Sequence, residues 1–421
     1  MTLLELSLQG MLSKTISLYK NAYGGLSRST WWLSLVMLIN RSGTMVVPFM
    51  TMYLTQHIGV SISKAGFVMG LFGVGAIIGA LIGGKLTDKI GSYYIQMSTL
   101  IGGGIMFIVL GQMQSYNAIC VFTFLLALVN EAFRPANSVA IAHYSKEENR
   151  TRSYSLNRLA INLGWAAGGG LGGLIASYNY QLLFWVDGLT NLCGAALLYF
   201  VLAPSRNIAT EVKVKKKKVA GRTAYQDTNY LIFIFLLFLF AMCFFQLFTT
   251  IPVFYKEEFH LSVLFIGMIM AMNGLLISVF EMILIFKLEG RRPLLHFISS
   301  GVVLIAVAYL LLNITGIEKA GLVIGVMLLF TLGEILSMPF MNSYFVSRTQ
   351  PHNRGQYAAL FTVAWASAQA VGPYAGSLIA EHFGYNILWY VIAGICFLIA
   401  ILYRLLHKKS DFNTLLNTRK I

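Results

Sequence analysis

Gly168-Gly169-Gly170-Leu171-Gly172-Gly173-Leu174-Ile175-Ala176 and Gly372-Pro373-Tyr374-Ala375-Gly376-Ser377-Leu378-Ile379-Ala380, 204 residues apart, are two versions of one segment. Carried outward, the same offset pairs Pro135 with Pro339, Asn149 with Asn353, Arg150 with Arg354 and Trp185 with Trp389. Twelve of the 51 positions from 135 to 185 are identical between the copies. Composition alone would give about four such identities. Pro48 and Pro252, and Gly70 and Gly274, also fall into register. The chain is an internal duplication.

The duplicated unit is membrane-spanning. Of 421 residues, 57% are hydrophobic and 11% charged, where a soluble domain carries about 25% charged residues. A bilayer crossing takes about 20 apolar residues of helix. Segments that qualify run over 32–55, 65–84, 94–112, 117–143, 153–177, 181–203, 229–255, 263–286, 294–314, 319–347, 355–380 and 384–406. Lipid cannot satisfy an open backbone, and no dyad pattern suggests a barrel, so all are read as helices. Six spans separate the copies, an even number, so both halves share one orientation. Such parallel repeats favour a solute site at the midplane between them. The fold class is therefore an all-α membrane protein of 12 helices in two six-helix pseudo-symmetric halves.

Charge fixes the expected orientation and boundaries. If both termini share a side, that side collects 25 Lys and Arg, against Lys64, Lys256 and Lys319 opposite and Arg41, Arg134 and Arg158 within spans. The basic side is expected to be cytoplasmic. The expected organisation is an amphipathic N-terminal segment over 1–30, half-bundles over 31–203 and 229–407, a basic linker over 204–228 containing Lys215 to Lys218, and a tail over 408–421. The formal charge of +15 sits in short clusters without a basic-aromatic face, which excludes nucleic acid. Cys120, Cys193, Cys243 and Cys396 lie in apolar runs without metal-ligand spacing and read as small hydrophobes.

The loop after span 2, Gly84-Lys85-Leu86-Thr87-Asp88-Lys89-Ile90-Gly91, resembles the G-x-L-x-D-R/K-x-G-R/K-R/K signature of the major facilitator superfamily, with Ser92 and Tyr93 replacing the last two basics. Lys287-Leu288-Glu289-Gly290-Arg291-Arg292 after span 8 is a weaker echo. In span 5, Gly164-Trp165-Ala166-Ala167-Gly168-Gly169-Gly170-Leu171-Gly172-Gly173 is similar to the g-x-x-x-G-P-x-x-G-G motif of the superfamily's proton antiporters, with Gly169 in place of proline. The resemblance covers essentially the whole chain. It implies a major facilitator fold with spans 1, 4, 7 and 10 around a central cavity. Asp88 is expected to cap a helix or pair with a neighbouring loop. The resemblance makes Asp88, Lys89, Gly91, Arg158, Gly168, Gly172, Gly372, Pro373 and Gly376 the gating set, the glycines through close helix approach.

An ionisable group deep in a bilayer is costly and therefore a functional candidate. Arg41 lies in span 1, Glu131 and Arg134 in span 4, and Glu334 at matching depth in span 10. Glu131 and Glu334 are the candidate proton-coupling carboxylates. Arg41 and Arg134, with Asn40, Gln246, Thr249, Phe248 and Tyr255, are the candidate substrate contacts. The competing reading makes Glu131 and Arg134 a permanent structural pair. Glu281 and Asp187 are expected in structural pairs or snorkelling, and Arg158 snorkelling or meeting Glu131 or Asp88. The chain carries no P-loop, zinc-protease motif or serine elbow, so it is read as a transporter and not an enzyme, with no cofactor. The expected function is proton-coupled efflux of amphipathic compounds by a monomer in the bacterial inner membrane. The alternative is uptake of peptides or another polar zwitterion, since Asn40-Arg41-Ser42-Gly43 through Tyr53 loosely resembles the start of peptide symporters. A non-transporting membrane receptor is the remote alternative.

Overall fold

The computed structural model describes residues 25–146, 149–202, 223–288, 290–314, 316, 318–349 and 353–418. Its long helices are α1 (Arg28–His57), α2 (Ile62–Ile90), α3 (Ser92–Gly111), α4 (Tyr116–Tyr144), α5 (Arg150–Tyr178) and α6 (Tyr180–Val201). The second half follows with α7 (Thr228–Glu257), α8 (Val263–Leu288), α9 (Leu294–Leu311), α10 (Lys319–Ser347), α11 (Arg354–Phe383) and α12 (Tyr385–Thr418). Each expected span falls on one of these. Eleven are long and apolar enough to cross a membrane by length and composition. The twelfth, α11, is as long at 30 residues, but it is rich in the Ala, Gly, Ser and Gln residues that its close neighbours require. The expected N-terminal segment and basic linker lie largely outside the described residues, and the expected tail is helical as far as Thr418.

An even number of crossings brings Arg28 and Thr418 to one face of the bundle, called here the terminal face; the other is the far face. Helix starts carry their own caps. Ser27 and Ser61 accept from the amides of Thr30 and Lys64, and Glu318 accepts from those of Ala320 and Gly321. Between α2 and α3 the chain reverses through Gly91 alone, at φ +103°, a left-handed backbone that a side chain would strain.

Three cavity-flanking helices are interrupted, and proline explains where. A proline ring removes one amide and crowds the carbonyl four residues earlier. Pro48 thus disturbs α1, which breaks between Ser42 and Val46. Pro252 disturbs α7 at the equivalent place, where Phe245–Phe248 tighten to a 3-10 turn. Pro135 does the same to α4 at Ala132. Packing follows the duplication: α1 lies on α5 and α6 as α7 lies on α11 and α12. The second half has the more aromatic core, with Tyr309 and Trp389 fully buried and stacked.

At the terminal face the second half is tied by Asp227, the N-cap of α7. Its carboxylate takes Nε and Nη2 of Arg348 at 3.0 and 2.6 Å, the Tyr357 hydroxyl at 3.0 Å and the Tyr230 amide at 3.2 Å. Burial alone would push this carboxyl up; the Arg348 guanidinium outweighs it, helped by Tyr230 and Tyr357, and holds it below the ordinary carboxylate range. A carboxylate lowered by folding stabilises above its unfolded value and loses that stability as pH falls through its folded one. Asp227→Asn should therefore cost about 1–3 kcal/mol at neutral pH. The gap between variant and wild type should close below about pH 4. Melting temperatures in detergent across pH measure this, and a gap that does not change with pH would refute the assignment.

Candidate functional site

Two seams join the halves, and both rest on glycine. In α2, a Cβ added at Gly66, Gly70 or Gly73 would meet Ser377, Pro373, Ala370 or Gln369 of α11. In α5, a Cβ at Gly169 or Gly173 would meet Met270 or Gly267 of α8, and one at Gly274 of α8 would meet Ala166. Small residues are what allow such backbone approach in lipid. The two seams differ towards the terminal face. The glycines of α2 that follow, Gly75, Gly79 and Gly83, abut Phe124, Leu128 and Ala132 of α4 instead of α11. The α5–α8 seam runs on, to an ion pair between Arg158 and Glu281 at 2.6 Å. At the far face α1 and α7 also touch, between Val46–Met52 and Thr250–Glu257.

The divergence of α2 from α11 leaves a cavity of about 530 Å³ between the halves. On α2 its lining runs from Met69 to Leu81 and on α11 from Thr362 to Pro373, with most of these residues from the middle of each helix towards the terminal face. The walls are largely aliphatic, with four aromatic side chains, Trp165, Phe245, Phe248 and Trp365, set among them. Trp165 packs on Phe248 with ring centroids 5.4 Å apart, and Trp365 packs edge-on to Phe245 at 5.9 Å. The polar lining consists of Glu131, Arg134, Thr249, Thr362 and Gln369. The size is that of a small-molecule site.

Of the candidate substrate contacts, Arg134, Thr249 and Phe248 line the cavity. Arg134 is bound to Glu131 at 2.5 Å; its side chain is 57% exposed, that of Glu131 only 6%. Arg41 is buried at 5% exposure and close enough to feel Glu131 and Arg134, the only charged side chains acting appreciably on it among the described residues. The other three contacts are engaged elsewhere. Asn40 donates to Asn191 of α6 at 2.9 Å. Gln246 donates to the Gly372 carbonyl at 2.7 Å, tying α7 to α11, and its amide occupies the space that a side chain at Gly376 would need. Tyr255 is buried among Phe254 and Phe259.

The two candidate coupling carboxylates are not equivalent. Glu131 lines the cavity, whereas Glu334 does not. Glu334 accepts from Asn273 Nδ2 of α8 at 3.2 Å, and the same amide donates to Thr331 at 3.0 Å. Glu334 feels the charges of Glu281 and Arg158. Arg158 thus meets Glu281, not Glu131 or Asp88. Asp187 is fully buried and accepts the amides of Met45 and Val46 at 2.8–3.0 Å. It caps the second segment of α1 and does not snorkel.

Among the gating set, Asp88 stands exposed in the last turn of α2, and no side chain caps α3. Lys89 beside it is also exposed. Gly168 and Gly172 accommodate Ser42, Met45 and Phe49 of α1, and Gly372 accommodates Met242 of α7 in the same way. Pro373 sits at the α2–α11 seam and lines the cavity. Asn273, Trp365 and Gln369 were not singled out from sequence. A lone amide within the apolar run Met270-Ala271-Met272-Asn273-Gly274 was the available signal for the first. Two of the four cysteines, Cys243 and Cys396, are buried, while Cys193 is exposed on the bundle surface.

Known proteins share this fold. The profile of the Major Facilitator Superfamily matches residues 32–373. The chain belongs to this superfamily. Among its relatives, the uncharacterized MFS-type transporter YhjO of Bacillus subtilis is 23% identical over 372 residues, 86% of this chain and 89% of YhjO. The multidrug resistance protein MdtG of Escherichia coli is 27% identical over 146 residues, 34% of this chain and 36% of MdtG. A crystal structure of the peptide transporter POT in complex with sulfate superposes with a TM-score of 0.76 at 15% identity, over 92% of this chain and 96% of that one. This protein is an integral multi-pass membrane transporter of a small solute, not an enzyme.

The burial pattern predicts an asymmetric response at the cavity. Glu131→Gln removes the one carboxylate acting on buried Arg41 and should cost about 3 kcal/mol. Arg134→Gln removes a charge that is half in water and should cost below about 1 kcal/mol. Thermal melting of the two variants in detergent tests this ranking, and an equal or larger loss for Arg134→Gln would refute it.

Proposed function

We propose that this transporter exports amphipathic compounds in exchange for protons. It works by alternating access as a monomer in a bacterial inner membrane, with both termini in the cytoplasm. The observation that carries the coupling is the position of Glu334. Its carboxylate is held by Asn273 and lies within the field of the ion pair between Arg158 and Glu281. That pair is the one that joins the two halves among the described residues. A proton on Glu334 changes the charge next to that pair, and so biases whether α5 and α8 stay together or part. The other candidate coupling carboxylate, Glu131, stands on the cavity wall, where solute binding can act on it.

Export of amphipathic compounds is supported by the apolar cavity wall with its four aromatic side chains and by the partial similarity to a multidrug resistance protein. The glycine-lined face of α5 serves the rocking of helices, with Gly168 and Gly172 packed against α1. Asp88 and Lys89, at the exposed end of α2 before the Gly91 turn, belong to the gate that closes the terminal face in the opposite state. The excess of Lys and Arg on that face supports its cytoplasmic assignment. Uptake of a polar zwitterion would use Glu131 and Arg134 as opposite poles; at 2.5 Å the two are engaged with each other, which favours export.

Glu334→Gln should abolish solute movement driven by a pH difference in proteoliposomes while leaving exchange of solute across the membrane intact. Expected is at least a tenfold loss of driven transport with exchange within about twofold of wild type. A tenfold rate loss corresponds to about 1.4 kcal/mol. Undiminished pH-driven accumulation would remove Glu334 from the coupling site.

A further inference from the structure

The outer surface of α12 changes character near its terminal-face end. Along the membrane-crossing part, Tyr385–Lys408, the side chains of Leu398, Ile401 and Leu405 are each more than half exposed and form an apolar stripe at helical spacing. Lys408 continues that stripe and Arg404 borders it, and both are exposed. Arg404 stands four residues before the end of the crossing, about 6 Å, which is the depth of the headgroup boundary. Its guanidinium is fixed against α9. Nε donates to Ser299 Oγ at 3.1 Å, and that hydroxyl donates to the Ala400 carbonyl at 2.8 Å. One turn nearer the terminal face, His296 of α9 and His407 of α12 meet edge-on with ring centroids 4.6 Å apart. The remaining N–H groups of Arg404, those of the two Nη atoms, have no partner among the described residues. Over 285–300 and 400–415 the sequence holds six Lys and Arg against Glu289 and Asp411, so this end of the α9–α12 pair is strongly basic.

We propose that this corner between α9 and α12 binds an anionic phospholipid of the leaflet at the terminal face. Its phosphate sits on the Nη groups of Arg404 with Lys408 beside it, and an acyl chain lies along Leu405, Ile401 and Leu398. The planar fork of arginine matches two phosphate oxygens, and a phosphate supplies the acceptors that the fork lacks. The apolar stripe is what selects a lipid over a free anion, because an acyl chain gains contact there and a dissolved phosphate gains none. A zwitterionic headgroup brings its own cation into a region that is already basic, whereas an anionic one reduces the excess of positive charge. A lipid held in this way fixes the depth of α9 and α12 in the bilayer. The site lies outside the cavity and makes no use of the solute.

The test uses the full-length purified protein, stripped of lipid in detergent. Melting is followed by tryptophan fluorescence, and bound lipid is detected by native mass spectrometry. The probes are phosphatidylglycerol, phosphatidylcholine with the same acyl chains, and inorganic phosphate. Phosphatidylglycerol should raise the melting temperature by about 3 °C more than phosphatidylcholine and should stay bound in the mass spectrum. Arg404→Gln should remove at least about half of that difference and release the retained lipid. Lys408→Gln, at an exposed position, should remove a smaller part and keeps the test decisive if Arg404→Gln does not fold. Lys85→Gln, an exposed lysine at the terminal-face end of α2 and outside the corner, should leave the difference unchanged. Equal protection by phosphatidylcholine or by inorganic phosphate would overturn the proposal. So would an undiminished difference in Arg404→Gln, or in Lys408→Gln where the former does not fold. An equal loss in Lys85→Gln would reduce the effect to diffuse attraction by a basic face and overturn it too. No solute or gradient enters these readouts, so the result is separate from the reading of Glu334.

Discussion

Backbone contact between helices is what holds the halves together. In lipid no hydrophobic gain rewards helix association, because the solvent is as apolar as the side chains, and close packing has to replace it. Both seams meet that requirement with glycine: Gly66, Gly70 and Gly73 against α11, and Gly169 and Gly173 against Met270 and Gly267. The cavity depends on where that contact stops. Beyond Gly73 the glycines of α2 turn to α4, which leaves the space that Trp365, Thr362 and Gln369 line. The α5–α8 seam continues to Arg158 and Glu281, so one side of the cavity stays sealed while the other opens.

The duplication explains both what could be read from sequence and what could not. An offset of 204 residues places Pro48 on Pro252, and the helix breaks they cause fall at equivalent positions in α1 and α7. Span number, topology and the pairing of α1 with α5 and α7 with α11 follow from the same repeat. The face of Glu334 does not. The offset matches Glu131 to Ile335, and Glu334 stands one residue earlier. One residue is about 100° of helix rotation. That turn takes the carboxylate from the direction of the cavity to that of α8, where Asn273 meets it. Depth is legible from spacing alone, but facing is sensitive to a single position.

The contacts between halves were also beyond the sequence. Arg158 and Glu281 are 123 residues apart, on helices that the repeat does not relate. Asn40 and Gln246 illustrate a different loss of information. Each is polar, deep and on a cavity-flanking helix, as a substrate contact would be. Yet an amide in a bundle has as much need of a structural partner as of a ligand. Asn191 and the Gly372 carbonyl meet that need. Thr249 and Phe248, on the same stretch of α7, differ in lining the cavity.

The break in α1 is what makes an uncompensated Arg41 tolerable. A helix end carries a partial charge, negative at the C-terminus and positive at the N-terminus, from carbonyls and amides left without partners. Arg41 occupies the last turn of the first segment, Arg28–Ser42. Asp187 reaches across from α6 to the opposite end of the break and takes the first amides of the second segment. Each buried charge is thus set against a helix end of opposite sign. For Asp187 the arrangement includes direct hydrogen bonds, because two amides donate to the carboxylate. For Arg41 it is partial, because a helix end supplies about half a charge and no hydrogen bond to the side chain is formed. The cation is thereby partly stabilised inside the bundle. A continuous α1 would have supplied neither terminus, and Pro48 in the first turn of the second segment favours the break.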